Sequence, residues 1–364
     1  MIKQMHDALV TVAPRRPYEV RKFLTVAPKD DEITVNIKWM ASTPLDLHQA
    51  DGGLLVEHPM RTGSTSAGVV VAVGPNVKKL RLGDEVFGFA HQKPEWKAHQ
   101  EFATAPEWVF GKVPDGFTLE EVVTIPENFV TAFNTLWADL NLPTPWPKPS
   151  DYRPLRADDR ILIWGAASSV GQLTIQVLKF YGYRNIVATA SPKHHMYLRE
   201  LGVAECFDYR SYSVVHELLN IHHDGQTPIY PIIVDCIGSQ AGSLTPISKI
   251  AQSGTTVTVM LPVILKHASS EEVPEYSMDA STSASWGDGV NVRGVRTHFY
   301  WKNEMLREKL QSEIMPTMLA EGIVKPIRYR IVDGETLLER ATKALDIMRT
   351  GVSGEKIIWR VSNN

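Results

Sequence analysis

Cysteine is scarce in this chain: 364 residues hold only two, Cys206 and Cys236. So few thiols exclude a disulfide framework and favour a reducing compartment, so the expected location is cytoplasmic. Long apolar runs are missing too. No stretch approaches the ~18 residues that span a bilayer, and MIKQMHDALVTVAPRRP lacks the apolar core of a secretory leader. The final RVSNN matches no retention signal. Charge of one sign is absent as well. A net charge of −3, with basic residues dispersed, gives no electrostatic reason to bind nucleic acid or an anionic membrane. Internal repeats are not found. What remains, 43% apolar and 22% charged residues, is a globular composition long enough for two domains.

The stretch Ile161 to Val177, ILIWGAASSVGQLTIQV, carries the most information. Four apolar residues suit a strand buried on both faces. Gly165, Ala166, Ala167, Ser168 and Ser169 carry little side-chain bulk, and Gly171 opens an apolar helical series. Ser168, Ser169, Val170 and Gly171 thus form a turn where a pyrophosphate reaches backbone N–H groups at a helix start. From 160 to about 300, strands near 186–190, 232–236 and 255–261 alternate with helices near 170–181, 193–201, 212–220 and 241–252. Such alternation indicates βαβ units and a parallel sheet.

Residues 1–125 read differently, with strands at 8–12, 32–38, 67–73 and 85–89 punctuated by turns. Helical spacing begins near 119 and is interrupted by Pro126. Residues 141–156, NLPTPWPKPSDYRPLR, hold five prolines and read as a surface connector. The polar stretch 262–292 is expected to be a loop. Helices are expected over 303–321 and 335–349, and strands over 327–332 and at GEKIIWRV.

The second strand of the βαβ region ends in TASPKHH. A NAD site places Asp or Glu there for the ribose 2′-hydroxyl. Here Ser191 holds that place, followed by Pro192, Lys193 and His194 at a helix start. A hydroxyl, an ammonium and helix N–H groups suit a 2′-phosphate, hence NADPH. Tyr209, after the third strand, could lie across the adenosine end.

GSTSAGVVVAVGPNVKKLRLGDEVFGF, residues 63–89, resembles the signature of the medium-chain dehydrogenase/reductase superfamily. With GAASSVG and IVDCIG (233–238), the resemblance covers nearly the whole chain. Within that superfamily the chain is most similar to the zinc-free quinone and enoyl reductases. The SSVG turn, SPKH and TGVSGEKIIWRV look closest to fungal trans-acting enoyl reductases of polyketide clusters. The resemblance implies an α/β architecture. A GroES-like, β-rich substrate domain (1–127 and 302–364) carries an inserted Rossmann domain with a doubly wound parallel sheet (128–301).

Zinc-dependent members place a histidine where this chain has Ser64, and cysteines near Thr43 and near Glu127-Asn128. They also carry a four-cysteine lobe after residue 90. With no thiolate at those positions, no metal site is expected. His194-His195 and His222-His223 are adjacent pairs and read as surface histidines. Without zinc to stabilise an alkoxide, hydride addition to an activated C=C is the easier task, because the charge spreads into an enolate or quinol.

By resemblance, Thr131 meets the nicotinamide carboxamide and acts in catalysis. Thr43, Pro44, Leu45 and Asp46 match the loop under the nicotinamide ribose. Met260, Leu261, Val352 and Ser353 edge the nicotinamide, and Gly165 belongs to the pyrophosphate turn. Asn128, Phe129 and Thr297 would face substrate. No proton donor is evident: ADGGLLVEHP lacks a tyrosine, and His48 and Asp46 are near but unassigned. The expected function is NADPH-dependent reduction of a carrier-bound or free enoyl thioester, with a polyketide synthase as partner. A quinone or alkenal reductase and a non-catalytic NADPH-binding protein are the alternatives. Monomer and homodimer both remain open.

Overall fold

The computed structural model describes residues 4–221, 225, 227–269 and 271–362. His222-His223 lie outside the described residues. In chain order the strands are β1 (Met5–Thr11), β2 (Glu19–Leu24), β3 (Glu32–Ser42), β4 (Met60–Arg61), β5 (Thr65–Val73), β6 (Glu85–Phe89), β7 (Phe102–Pro106) and β8 (Phe110–Lys112). Then come β9 (Ile161–Trp164), β10 (Ile186–Thr189), β11 (Glu205–Phe207), β12 (Ile232–Asp235), β13 (Thr256–Met260), β14 (Val263–Lys266), β15 (Glu275–Ser277), β16 (Asn291–Val295), β17 (Tyr329–Ile331) and β18 (Lys356–Arg360).

The chain divides into two compact units. The first holds residues 1–130, 268–274 and 300–364; the second holds 131–267 and 275–299. In the first, one sheet runs β2-β1-β4 and a larger one runs β17-β18-β3-β5-β6-β8, with β7 also pairing β3. Strand β3 anchors the larger sheet. Its alternating Ile33, Val35 and Ile37 are fully buried, as period-2 patterning requires of a strand with one face on a core. They pack with Leu9, Val86, Phe110 and Trp359.

The second unit is a six-stranded parallel sheet in the order β11-β10-β9-β12-β13-β16. Numbered within the sheet this is 3-2-1-4-5-6, the doubly wound order with its switch point beside the first strand. All four residues of β9 are buried, because helices cover both faces of such a sheet. Gln172, Leu173, Ile175 and Val177 of the helix Ser169–Tyr181 are buried in turn.

Several local expectations need correction. The supposed loop 262–292 contains the antiparallel pair β14–β15, and β16 already begins at Asn291. Only Val263 of these two short strands is fully withdrawn from solvent, so no hydrophobic run announces them. The helix Pro44–Gly52 also escapes the pattern. It buries Asp46, His48, Gln49 and Asp51 beside Leu47 and Ala50, so it has no apolar stripe. Strand β2 is exposed along almost its whole length. Pro126 starts a helical segment rather than breaking one, since proline is tolerated in a first turn, whereas Pro316 lies within a continuous helical stretch. The segment Leu306–Ile314 before Pro316 is π-helical.

Candidate functional site

In the second unit, β9 runs into Gly165, whose φ of 75° lies in the left-handed region. The turn is tied to β10 by two bonds. Gly165 N–H donates to Thr189 Oγ1 at 3.1 Å and Ala166 N–H to the Thr189 carbonyl at 3.0 Å. Ser168 caps the following helix, its hydroxyl accepting from Gly171 N–H at 3.2 Å. A Cβ on Gly171 would stand 2.8 Å from Ala166 Cα. Only glycine lets the helix close onto the turn at that distance. Val170 is buried, while Ser168 and Ser169 are half-buried. The first-turn N–H groups of a helix attract an anion, so this turn fits a dinucleotide pyrophosphate.

Strands β10 and β11 pair in parallel with Thr189 opposite Phe207. Ser191 and Tyr209 each follow two residues later, so both leave the same edge of the sheet. Ser191 is buried, Pro192 and Lys193 are exposed and His194 is half-buried. His195 Nε2 sits 2.9 Å from the Ala190 carbonyl and secures the start of the helix His195–Leu201. Tyr209 is 43% exposed, and the Arg210 guanidinium lies 5.9 Å from its ring centre. Arg210 is a second cation beside this edge that the sequence reading passed over, although it stands next to Tyr209 in FDYRS. It is held by Asp208 at 3.1 Å, and that pairing keeps the Asp208 carboxyl below the usual range.

Beyond the switch point, Asp235 ends β12 wholly buried. It accepts from Ile237 N–H (2.9 Å), Gly238 N–H (3.2 Å) and Ser243 Oγ (2.7 Å). Burial pushes its carboxyl up to about 6 against these bonds. Gly238 has a φ of 66° and approaches the Met260 carbonyl so closely that a Cβ would stand 2.4 Å away. Asp235 therefore shapes the loop next to Met260 and Leu261, a part that sequence reasoning missed. The signal was an acid ending an apolar strand. Thr131 is buried, and Thr297 Oγ1 donates to its hydroxyl at 3.1 Å. These two predicted residues meet directly.

The first unit holds the other predicted residues. Thr43 N–H donates to Asp46 Oδ2 at 2.8 Å and its hydroxyl lies 3.4 Å from the same oxygen. Pro44 is exposed, Leu45 half-buried and Asp46 buried. Ser64 Oγ donates to Glu127 Oε2 at 2.5 Å, with Thr65 Oγ1 at 3.3 Å from that atom. His99, Lys97 and Lys356 lie near these carboxylates, and burial pushes all three down. Phe129 is fully buried. Asn128 is half-buried, and its Oδ1 has no hydrogen-bond partner among the described residues. Val352 and Ser353 occupy an exposed loop before β18. Among the described residues no group of three or more His, Cys, Asp or Glu side chains is placed to hold a metal ion, and no helix is long and apolar enough to cross a membrane.

Residues 29–135 match the model of the alcohol dehydrogenase GroES-like domain. A trans-enoyl reductase of Aspergillus japonicus is 29% identical over 373 residues, covering 98% of this chain and 99% of the relative. A trans-enoyl reductase of Aspergillus terreus is 32% identical over 253 residues, 66% of this chain and 79% of the relative. Among solved structures, the CurK enoyl reductase superposes with a TM-score of 0.72 at 16% identity, covering 97% of this chain and 99% of that one. A quinone oxidoreductase of Pseudomonas syringae gives 0.71 at 22% identity, over 98% and 99%.

Proposed function

This chain belongs to the family of the fungal trans-enoyl reductases, within the medium-chain dehydrogenase/reductase superfamily, and from that premise we propose that it reduces the activated C=C bond of a polyketide-type enoyl thioester. It uses NADPH, needs no zinc and works on intermediates of a separate polyketide synthase. One observation carries the reading. The hydroxyls at the positions where zinc-dependent members have ligands are spent on carboxylates: Ser64 on Glu127 and Thr43 on Asp46. Hydroxyls bonded in this way are poor partners for zinc, which favours thiolate and imidazole. They suit a reaction whose negative charge is delocalised over an enolate.

When bound, the reduced nicotinamide supplies the hydride. The chain's residues supply binding and orientation. Gly165 and Ser168 to Gly171 receive the pyrophosphate at the helix start. Ser191, Pro192, Lys193 and His194, with Arg210 beside Tyr209, favour a 2′-phosphate through charge-assisted bonds. Thr131, steadied by Thr297, holds the carboxamide, and Met260 and Leu261 border the ring. In the first unit, Thr43 to Asp46 and Val352-Ser353 are assigned to the cofactor by the family resemblance, and Asn128, whose amide oxygen has no partner among the described residues, is assigned to substrate.

The test is incubation with 4R- and 4S-deuterated NADPH and an α,β-unsaturated thioester, with the label located by NMR. Deuterium at the β-carbon from one face supports the reading. A deuterated allylic alcohol would overturn it. Turnover of quinones with thioesters untouched would leave a quinone reductase instead.

A further inference from the structure

Inside the first unit, ionisable groups meet from elements far apart in sequence. Asp46 comes from the helix Pro44–Gly52, Lys97 and His99 from the segment before β7, Glu127 from the helix Pro126–Asn134 and Lys356 from β18. Asp46, His99, Glu127 and Lys356 are at most 9% exposed, and Lys97 is half-buried. Burying such groups costs several kcal/mol per ion unless they are well paired. Groups of this kind gather where a protonation state is needed for chemistry.

The members are not equally satisfied. Glu127 takes the hydroxyls of Ser64 and Thr65. Asp46 takes both of its bonds from Thr43 on one oxygen, Oδ2. The other oxygen, Oδ1, faces His99 Nε2 at 3.8 Å. That nitrogen has no hydrogen-bond partner among the described residues. The ring is nevertheless fixed, because Nδ1 lies 2.8 Å from Thr62 Oγ1. Tyr18 meets it edge-on with ring centres 5.6 Å apart, and Trp359 lies at 5.4 Å. At 3.8 Å that nitrogen is too far for a direct hydrogen bond to Oδ1, so the imidazole braces that side of the carboxyl and leaves Oδ2 turned to Thr43.

Resting on the reading of the chain as an enoyl reductase, we propose that Asp46, held against His99, stores the proton that completes the reduction and passes it through the Thr43 hydroxyl to the substrate's α-carbon. The surroundings set which partner keeps the proton. Burial, then Lys97, lowers His99 to about 3. Burial and the charge of Glu127 raise Asp46 to about 7, against the Thr43 N–H, Lys356 and Lys97. Of the two partners Asp46 therefore keeps the proton, up to about pH 7. After hydride reaches the β-carbon, the C=C electron pair lies in the enolate. That pair forms the C–H bond at the α-carbon with the Thr43 hydroxyl proton, and the Thr43 oxygen takes the proton that Asp46 carries on Oδ2, the oxygen it faces at 3.4 Å. Asp46 is left as a carboxylate facing Lys97 and Lys356, and water restores its proton after product leaves. Thr43 touches substrate in this step; Asp46 acts through it, and His99 positions Asp46.

The experiment uses the full chain and an α-methyl enoyl thioester with NADPH in D2O, in wild type, Asp46→Asn, Thr43→Val and Thr43→Ser. Wild type should give one configuration at the α-carbon, with kcat falling as pH rises past about 7. Asp46→Asn and Thr43→Val should lower kcat by roughly 10²–10⁴, the usual range for a positioned acid, and give both α-epimers. Asp46→Asn should lose the alkaline limb, and Thr43→Ser should restore a single epimer. Asp46→Asn with wild-type kcat, limb and stereochemistry overturns the proposal. Infrared titration of the cofactor-free protein is an independent readout. A protonated-carboxyl band that fades near pH 7 and is missing from Asp46→Asn supports the store, and its absence from wild type overturns it. If wild type places no label from deuterated NADPH at the β-carbon, the enoyl reductase reading fails instead, and the infrared band still decides where the proton rests.

Discussion

Replacing Gly171 with alanine tests the cofactor turn without touching a charge. The added methyl would lie 2.8 Å from Ala166 Cα and from its carbonyl oxygen. Ordinary contact begins at 3.4 Å, so backbone must yield by about 0.6 Å. Overpacking of this kind costs roughly 1–3 kcal/mol. Alanine's better helix propensity returns only about 0.5–1 kcal/mol. At roughly 2–4 °C per kcal/mol for a unit of this size, the melting temperature should fall by a few degrees. The same shift moves the helix N-terminus away from the pyrophosphate. Weakening one or two charge-assisted bonds of ~1.5 kcal/mol should raise Kd on the order of ten- to a hundredfold. NADH and NADPH share the pyrophosphate, so both should lose equally. Calorimetry and fluorescence titration of both cofactors give the measurement. Gly287→Ala serves as the control, since a methyl there meets nothing within 4 Å. If Gly171→Ala melts like the control and binds both cofactors normally, the turn does not hold the pyrophosphate.

Lys193→Ala should separate the two cofactors. Because Lys193 is exposed, the loss for NADPH should be about tenfold, at the low end for a charge-assisted bond, with NADH unchanged by titration. Arg349→Met should destabilise the first unit by roughly 2–3 kcal/mol in urea unfolding. It strips a buried Asp51 of a two-pronged partner at 2.6 and 2.9 Å, while the 26% exposure of Arg349 keeps the loss below that of a fully buried pair. The folded second unit keeps the Asp235 proton up to about pH 6, whereas an unfolded aspartate releases it near 3.8. That contribution to stability is therefore full below about 4 and lost as pH rises to 6. The melting temperature of wild type minus that of Asp235→Asn should fall as pH rises from about 4 to about 6 and stay constant above it, and a difference constant throughout would contradict the assignment. Elemental analysis of protein purified without added metal should find no stoichiometric zinc.

What the sequence made legible was local. The turn at 165–171 is a strand, small residues and a helix in succession, so its meaning survives without tertiary knowledge. The four inner strands of the parallel sheet were legible because each is a buried apolar run, whereas the outer β11 and β16 are short or polar and only partly buried. The first unit was harder. The helix Pro44–Gly52 turns its polar side inward, so hydrophobic periodicity says nothing about it. Asp46, His99, Glu127 and Lys356 come from four distant places, and each alone looks like an ordinary residue. Their proximity exists only once β18 is laid beside β3. Arg210 carries no pattern of its own, and only the parallel pairing of β10 with β11 brings it to the edge where Ser191 stands.

The pairing of β18 with β3 has a consequence for how the protein is made. Ile357 to Arg360 pair with Ser42 to Trp39, so β3 must wait for a strand made more than 300 residues later. Translation at about 5–20 residues per second keeps β3 without this neighbour for tens of seconds. The second unit, complete once residue 299 is out, can fold in the meantime. A chain cut before Lys356 would still assemble the doubly wound sheet, yet it would lack both the strand that pairs with β3 and Lys356 itself.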